Sequence, residues 1–478
     1  MTLKQQVLSG VKWVALANIL GQVMSLISMV ILARLLTPDD FGVFAILMIF
    51  VGFLSMFVGM GSSAAIVHID NPSEKLLSSI FYFNVFSGTL FCIILIVLSG
   101  PISVFFENPE IEELLRWLSL TFVIGSFTGV QGALFTKKLD FKTSTIIEFI
   151  ATFVSLSIGI IAAMKGLGVY SLIIRTMAGS ILSAILTWNI SQWKPKLVFS
   201  IEELKKVFHF TTNLTGFTFI NYFSRNVDNF LIGKFLGASS LGVYNIAYNI
   251  MLYPLQNISN VLTRVLFPAF SQMKDDNEKF KKGYLRVIFF IALVSFPLMT
   301  GLMATSDIFV SVVFGEKWHN LATLLLILAP VGMMQAIRRT LGSIFMAKGN
   351  VKTMFRIGSI NAAIIVISFI MGIPFGTEGV ALSYAIANTI ISYPNLAISW
   401  RQIDLSVKEG LSEIFPILVF SIIMGLGVVF LGGVFEDHIE NQIIRLIVMV
   451  LSGMIIYLIL LRVKYGNLMN MLNEVRNK

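Results

Sequence analysis

Polar and charged side chains interrupt two long apolar runs between residues 218 and 264. One face of the first run carries, at helical spacing, Thr218, Tyr222, Arg225 and Asp228. A similar stripe in the second run contains Asn245, Asn249, Gln256, Asn260 and Arg264. Two neighbouring helices are therefore expected to present polar faces to each other.

The polar side chains of these stripes can bind a ligand only if they do not face lipid. An ionisable group near the centre of a bilayer costs about 2.5 to 3.5 kcal/mol even on the lenient insertion scale, so such groups should face a bundle interior or a water-filled cavity. A structural alternative is an ion pair between Arg225 and Asp228 that only holds two helices together. The excess of cations over carboxylates favours a binding site for an anion.

Composition places these runs in a membrane. The chain has 478 residues, of which 56% are hydrophobic and only 13% are charged, so too little polar surface exists to cover a soluble protein. The apolar runs are about 20 residues long and continuously hydrophobic, as helices that cross a bilayer require. The sequence predicts an all-α integral membrane protein.

About fourteen spans are expected, and their approximate bounds are 12–33, 41–65, 77–99, 114–135, 145–164, 168–190, 207–235, 241–268, 285–306, 321–347, 354–374, 378–400, 411–432 and 442–461. Most of the 35 Lys and Arg residues flank alternate loops on one side, which predicts that both termini are cytoplasmic. This basic side suits anionic lipid headgroups, so the net charge of +9 does not call for nucleic acid.

The first six spans and the next six repeat each other. The turn Leu35–Phe44 has a counterpart 200 positions later at Phe235–Tyr244, and Gly132–Lys138 corresponds to Gly342–Lys348. Because each unit contains an even number of helices, a pseudo-two-fold axis along the membrane normal should relate the two lobes. We expect an N-lobe at 1–200, a C-lobe at 201–403, and two extra helices with a cytoplasmic tail at 404–478.

These turns and the six-plus-six-plus-two arrangement resemble the polysaccharide transporters of the multidrug/oligosaccharidyl-lipid/polysaccharide exporter superfamily. That group includes the Wzx O-antigen flippases and the teichuronic and colanic acid exporters. The resemblance implies a flippase of the bacterial cytoplasmic membrane that moves a glycan linked to undecaprenyl pyrophosphate to the outer leaflet by alternating access. Membrane lipids and other polysaccharide-assembly proteins are the partners it implies.

Under this interpretation the mid-membrane arginines form the pyrophosphate site, because guanidinium groups donate paired hydrogen bonds to phosphate oxygens. The four predicted cations are Arg225, Arg264, Arg338 and Arg339. Sugar-binding or cavity residues are predicted at Asn18, Gln22, Asn221, Tyr222, Asn245, Tyr248, Asn249, Tyr253, Gln256 and Asn260. Asp228 is a candidate for holding Arg225 when the site is empty.

Glu148 lies near the start of the fifth span. It is expected either to cap the helix or pair with Lys142, or to accept a coupling proton. The sequence contains no phosphate-binding loop, so transport is expected to use a gradient of H⁺ or Na⁺ or of the substrate itself, without another cofactor. The four histidines are far apart and the single cysteine lies in an apolar run, so no metal site is expected.

Three alternatives remain open at this stage. A cation-coupled multidrug exporter of the same superfamily would favour acidic and aromatic cavity residues, whereas these stripes are net basic. A membrane scaffold of a polysaccharide synthesis complex would not need a polar face in mid-membrane. An integral-membrane glycosyltransferase or polymerase would be expected to carry acidic groups in a sizeable external loop, and the external loops here are short.

Overall fold

The structure is a computed structural model that describes residues 3–58, 62–205, 222, 226–273 and 275–466. Within these ranges the side chains of 3–12, 14–19, 62, 254–269 and 271–272 are not described. The described part contains helices and no strand, in agreement with the predicted all-α class. It divides into two compact units, Met1–Gly242 and Val243–Lys478. The three predicted domains, with boundaries at 200 and 403, stay a prediction.

In the first unit the helices are α1 (Leu3–Leu35), α2 (Pro38–Ser55), α3 (Ser62–His68), α4 (Glu74–Phe106), α5 (Glu110–Ser126), α6 (Gly129–Lys137), α7 (Phe141–Met164) and α8 (Tyr170–Ile190). Residues 226–235 are also helical, and α9 (Gly237–Gln272) continues into the second unit. The rest are α10 (Asn277–Ala304), α11 (Ser306–Val313), α12 (Asn320–Arg338), α13 (Leu341–Ala347), α14 (Val351–Gly372), α15 (Gly376–Trp400), α16 (Val407–Glu436) and α17 (Gln442–Tyr465).

Nine helical segments of the described chain are long and apolar enough to cross a membrane, or ten if the bent pair α5 and α6 forms one span. One of these segments, Val351–Ile403, has 53 residues and contains both α14 and α15. These two helices pack together, since a Cβ on Gly372 would lie 2.7 Å from the carbonyl oxygen of Gly379. The predicted span 207–235 lies mostly outside the described residues, so the number of fourteen stays a prediction.

The turn between α1 and α2 is fixed by local hydrogen bonds. The Thr37 hydroxyl oxygen accepts from the amide of Asp40 at 3.3 Å, and the Asp40 carboxylate accepts from the amide of Thr37 at 2.8 Å. This reciprocal capping box satisfies two amides that the first turn of a helix leaves unpaired. Pro38 occupies the first helical position, where no amide hydrogen is needed.

The two repeated turns meet in the first unit. A Cβ on Gly42 of α2 would lie 1.7 Å from the carbonyl oxygen of Ala238, and one on Gly242 of α9 would lie 1.9 Å from the carbonyl oxygen of Pro38. No side chain fits at either glycine without displacing backbone. The start of α2 therefore crosses the start of α9 in direct backbone contact.

Each unit contains a helix that breaks at a threonine. Between α5 and α6 the helix axis bends by 45°, Thr128 donates to the carbonyl of Gly125, and the Trp188 indole donates to the carbonyl of Phe127. These bonds satisfy carbonyls near the break, which an unbroken helix would pair with amides.

The second break separates α12 from α13. Thr340 donates to the carbonyl of Ile337 at 2.7 Å and shares a 2.7 Å hydrogen bond with the Tyr284 hydroxyl, which also accepts from the indole of Trp400. Thr128 and Thr340 are 212 positions apart, as are Trp188 and Trp400. Each unit thus places a tryptophan indole near the interruption of a helix, although the two indoles donate to different groups. The shared placement agrees with the repeat predicted from the sequence.

Candidate functional site

A polar network crosses three helices of the second unit, with Tyr384 of α15 at its centre. The Tyr384 hydroxyl accepts a hydrogen bond from Nε2 of Gln335 on α12 at 2.6 Å and lies 3.3 Å from the hydroxyl of Tyr248 on α9. Tyr384 is only 4% exposed. Because a buried polar group costs about 1 to 3 kcal/mol when it is left unpaired, this network fixes the facing sides of the three helices.

Arg338 lies one helical turn after Gln335, on the same face of α12. Its Nη1 donates to Oδ1 of Asn388 at 2.7 Å, and Nδ2 of Asn388 donates to the carbonyl of Tyr384 at 2.8 Å. Asn388 is fully buried, so its orientation is fixed from both ends of its amide. The guanidinium carries five N–H donors in a rigid plane, and an amide holds it in place without neutralising its charge.

Two of the predicted pyrophosphate residues are therefore described by the structure. Arg338 belongs to the network, and Arg339 follows it as the C-cap of α12, half-buried beside the helix break. Arg225 lies outside the described residues, and the side chain of Arg264 is not described. Whether the four arginines gather at one site stays a prediction.

The predicted polar stripe of α9 is described over its first part. Nδ2 of Asn249 donates to Oδ1 of Asn245 at 2.9 Å, so these two residues share one face as expected. Tyr253 is half-buried, and its hydroxyl has no hydrogen-bond partner among the described side chains. The side chains of Asn18, Gln256 and Asn260 are not described by the structure. Gln22 of α1 is half-buried.

Tyr222 lies in the first unit and turns its hydroxyl towards α2. The hydroxyl oxygen is 2.7 Å from the carbonyl oxygen of Ile49 and 3.2 Å from that of Met48, a close approach that Gly52 allows because it has no side chain. The ring borders an apolar cavity of about 370 Å³ together with Phe53. The predicted contact of Tyr222 with sugar stays a prediction, and Asn221 lies outside the described residues.

The two predicted gating or coupling residues also lie in the first unit. Asp228 is buried, and its Oδ1 accepts from the amide of Asn229 at 2.8 Å; its predicted pairing with Arg225 falls outside the described residues. Glu148 of α7 lines a cavity of about 420 Å³. Among the described residues it forms no ion pair with Lys142, whose ammonium lies 5.7 Å from the centre of the Trp13 ring.

Three residues of the network were outside the predicted set: Gln335, Tyr384 and Asn388. A signal for them exists in the sequence. Gln335 precedes Arg338 by three positions, and Tyr384 precedes Asn388 by four, so each pair shares a helix face inside a predicted span. Pairs of polar residues at helical spacing in otherwise apolar spans would have identified all three.

The fold and this network define an all-α, multi-pass membrane protein with polar side chains held inside its helical units. Residues 31–323, more than half of the chain, match the family described as polysaccharide biosynthesis protein. The chain belongs to this family. The resemblance inferred from the two repeated turns is thereby confirmed.

Two relatives are similar over most of their length. The teichuronic acid biosynthesis protein TuaB of Bacillus subtilis is 29% identical over 96% of both chains, and the lipopolysaccharide biosynthesis protein WzxC of Escherichia coli is 29% identical over 89% of both. Among solved structures, the lipid II flippase MurJ in an inward closed conformation superposes with a TM-score of 0.73 at 20% identity, over 95% of this chain and 99% of that one. An inward-facing multidrug resistance MATE transporter gives 0.60 at 15% identity, over 80% and 94%.

Proposed function

We propose that this protein is a flippase that moves an oligosaccharide linked to polyprenyl pyrophosphate from the cytoplasmic to the outer leaflet of the bacterial cytoplasmic membrane. Several relatives are named for the biosynthesis of surface glycans, and two of the names state movement: the succinoglycan biosynthesis transport protein ExoT and the probable low-salt glycan biosynthesis flippase Agl15. The likeness to MurJ supports the fold alone. Alternating access and cytoplasmic termini belong to the same proposal.

The observation that carries this proposal is the Arg338–Asn388 pair inside a membrane-spanning helix. A guanidinium inside a membrane span costs free energy unless an anion binds to it. The neutral amide of Asn388 positions the guanidinium without removing its charge. Pyrophosphate is an anion with paired oxygens that match the guanidinium donors. Arg339, Arg225 and Arg264 complete the proposed headgroup site, while Tyr248, Gln335 and the asparagines of α9 offer hydrogen bonds to sugar hydroxyls.

In this proposal the chain needs no catalytic residue. The pyrophosphate linkage is bound and released intact, so the protein only has to lower the barrier to carrying a charged headgroup across hydrocarbon. A gradient of H⁺ or Na⁺, or of the substrate itself, would set the direction of transport. The polyprenyl tail would remain in lipid, beside α16 and α17, while the headgroup crosses within the protein.

The test is transport by purified protein in liposomes that contain a fluorescent polyprenyl-pyrophosphate oligosaccharide. A membrane-impermeant quencher reports how fast the labelled headgroup changes leaflets. The wild type should accelerate exchange over empty liposomes. Arg338→Ala should slow it by about tenfold to a hundredfold, because a hydrogen bond to a charged group is worth about 1.5 to 3 kcal/mol. Arg338→Lys should recover only part of the rate, since lysine keeps the charge but loses the planar fork.

The matched control is Arg401→Ala, which removes an exposed arginine that follows α15. It should transport at the wild-type rate. Normal exchange by Arg338→Ala, and also by alanine variants of the other three arginines, would contradict the charged-site mechanism. A wild-type protein that moves a cationic dye but no glycan lipid would support the multidrug exporter instead.

A further inference from the structure

The first unit contains an apolar cavity that the proposed transport of the headgroup does not use. It has a volume of about 370 Å³ and lies between α2, α4 and the helix 226–235. Nine of the eleven described residues that line it are Ile, Leu, Val or Phe, and no polar atom of a described residue reaches its wall. Such a surface offers no hydrogen bond to a phosphate or a sugar and no ligand to an ion.

The two polar residues of the lining turn their polar atoms away from the cavity. The Tyr222 hydroxyl donates to the carbonyl oxygen of Ile49 at 2.7 Å, and the side-chain nitrogen of Asn226 donates to the carbonyl oxygen of Tyr222 at 2.9 Å. Both groups thus have partners on the backbone, and carbon atoms form the wall. Water would find no hydrogen-bond partner there, and apolar cavities of this kind stay dry.

Aromatic rings close the cavity at the end nearest the membrane boundary. Phe106 is the last residue of α4. Its ring contacts the rings of Phe50 and Phe230, which both line the cavity, with centroid distances of 6.0 and 5.6 Å. Phe105 stacks on Phe230 at 5.5 Å from the same end. These rings separate the cavity from the aqueous phase, so a ligand must enter from another side.

The opening of the cavity faces the lipid side of α4. Leu98 lines the cavity and is 43% exposed, and it lies next to the exposed apolar stripe that includes Val97 and Val104. Because α4 is apolar and long enough to cross the membrane, exposed apolar side chains on it contact lipid tails, which are as apolar as leucine. The ligand that reaches this opening is therefore hydrocarbon from the bilayer.

The volume limits which hydrocarbon fits. An apolar protein cavity of about 150 Å³ takes up one benzene molecule, so a cavity of about 370 Å³ has room for about fifteen carbons at the same packing. A single unbranched acyl chain of a phospholipid is of this size. A polyprenyl tail is several times longer and carries a methyl branch on every unit, so it is too large for this space.

We propose that this cavity binds one acyl chain of a membrane phospholipid, which enters past Leu98 and fills the space between α2, α4 and the helix 226–235. Without such a chain, the side chains of the wall would lack contacts on one side, and a hydrocarbon chain supplies those contacts. The site goes beyond the proposed function and does not depend on it, because the bound lipid is a component of the membrane and not the transported molecule.

Photolabelling in lipid nanodiscs tests the site. The nanodiscs contain a phospholipid with a diazirine halfway along one acyl chain, and mass spectrometry of peptides locates the adducts after illumination. Val97 and Val104 face the bilayer and should be labelled in any case. Adducts at Ile49 and Ile102, which are buried and line the cavity, should form because a chain occupies it. A wild type labelled at the two valines and at neither isoleucine would overturn the site.

Two variants fill the cavity by different routes, Leu98→Trp from its half-exposed opening and Val227→Phe from the opposite helix. Both should lose the adducts at the two isoleucines and keep the adduct at Val104. The matched control is Val97→Trp, which places an equally large ring on the lipid-facing side of α4 and should be labelled as the wild type is. Undiminished labelling of the isoleucines in the folded variants would contradict the proposal.

A second probe distinguishes a phospholipid chain from the tail of a carrier lipid. A polyprenyl phosphate with a diazirine in its chain should leave Ile49 and Ile102 unlabelled. If it labels them and displaces the phospholipid probe, the assignment to an acyl chain is wrong. Labelling requires no transport, so a protein that exchanges no glycan lipid can still confirm this site, and a protein without the site can still be a flippase.

Discussion

Asn388 contacts Arg338 through a neutral group, so Arg338 keeps its full positive charge for a ligand. As an amide it orients the guanidinium through its Oδ1 and leaves the positive charge intact. Asn388→Asp keeps nearly the same shape but turns the contact into an ion pair. The variant loses the hydrogen bond from Nδ2 to the Tyr384 carbonyl, and the new ion pair offsets this loss of stability in part. We expect it to exchange glycan lipid at least about tenfold more slowly than the wild type, because the anion must now displace a carboxylate.

The melting temperature and the rate of glycan-lipid exchange should be measured on one preparation of each variant. Asn388→Ala provides the reference, since it removes the positioning contact without adding charge and should lose stability, by about 1 to 3 kcal/mol for the unpaired groups. Transport by Asn388→Asp at the wild-type rate would show that the charge of Arg338 does not bind the substrate.

Glu107, at the end of α4, is expected to make the stability of the folded protein depend weakly on pH. Its carboxylate accepts a hydrogen bond from Lys234 at 2.8 Å, and this bond, with the positive charge of Lys234, lowers the pKa of Glu107 below its ordinary value of 4.5. A carboxyl group whose pKa is lower in the folded protein than in the unfolded chain stabilises the folded state at pH values above its unfolded pKa. This contribution to the free energy of unfolding disappears as the pH falls through the pKa of the folded state. The side chain is exposed, so the effect is weak and salt-dependent.

The expected result is that wild type and Glu107→Gln differ slightly in melting temperature near neutral pH and converge as the pH drops below the ordinary range of a glutamate. High salt should remove the difference at every pH. Glu440→Gln, which lacks such a lysine among the described residues, serves as the control. A difference that grows on acidification would mean that Lys234 does not stabilise the charged form.

Helix breaks at Thr128 and Thr340 are the features of the helices that the sequence did not predict. For the spans 114–135 and 321–347 the sequence predicts only the bounds, because hydrophobic runs report the length of a span and not its local axis. Each break depends on a partner distant in sequence, Trp188 in one unit and the pair Tyr284 and Trp400 in the other. Hydrogen bonds of this kind form only when the helices pack together, so the sequence pattern does not reveal them.

Replacing Trp188 with Phe tests the support of the first break. The variant keeps an aromatic ring against Phe81 but loses the indole donor to the carbonyl of Phe127. We expect a loss of about 1 kcal/mol in unfolding free energy and slower exchange of glycan lipid. Trp117→Phe is the matched control, because Trp117 is 49% exposed and its indole donates only within its own helix, to Glu113 at 3.5 Å. Equal loss in both variants would mean that the indole bond does not support the break.

The capping box at Thr37 and the polar pair on α9 could be anticipated, because both depend on residues three or four positions apart. The network around Tyr384 joins α9, α12 and α15 and depends on contacts between residues 49 to 136 positions apart. Composition and periodicity fix the class and the helices, while the choice of facing partners is decided by packing.

At the scale of the whole chain, the charge distribution predicts which side of the membrane each loop occupies. Cys92 is buried and is the single cysteine, so Cys92→Ala provides a cysteine-free background. A cysteine introduced at Asn108 should react with a membrane-impermeant maleimide added outside intact cells, and one at Glu278 should react only after permeabilisation. The reverse pattern would contradict cytoplasmic termini.

The crossing at Gly42 and Gly242 has the symmetry of a contact between two identical copies. Residue 42 touches residue 238, and residue 242 touches residue 38; since the two turns are 200 positions apart, each turn makes the contact that the other makes. This reciprocity is what two identical copies form across a two-fold axis. A half-length protein that paired with itself across a two-fold axis would form the same contact, with a glycine of each copy making room for the backbone of the other.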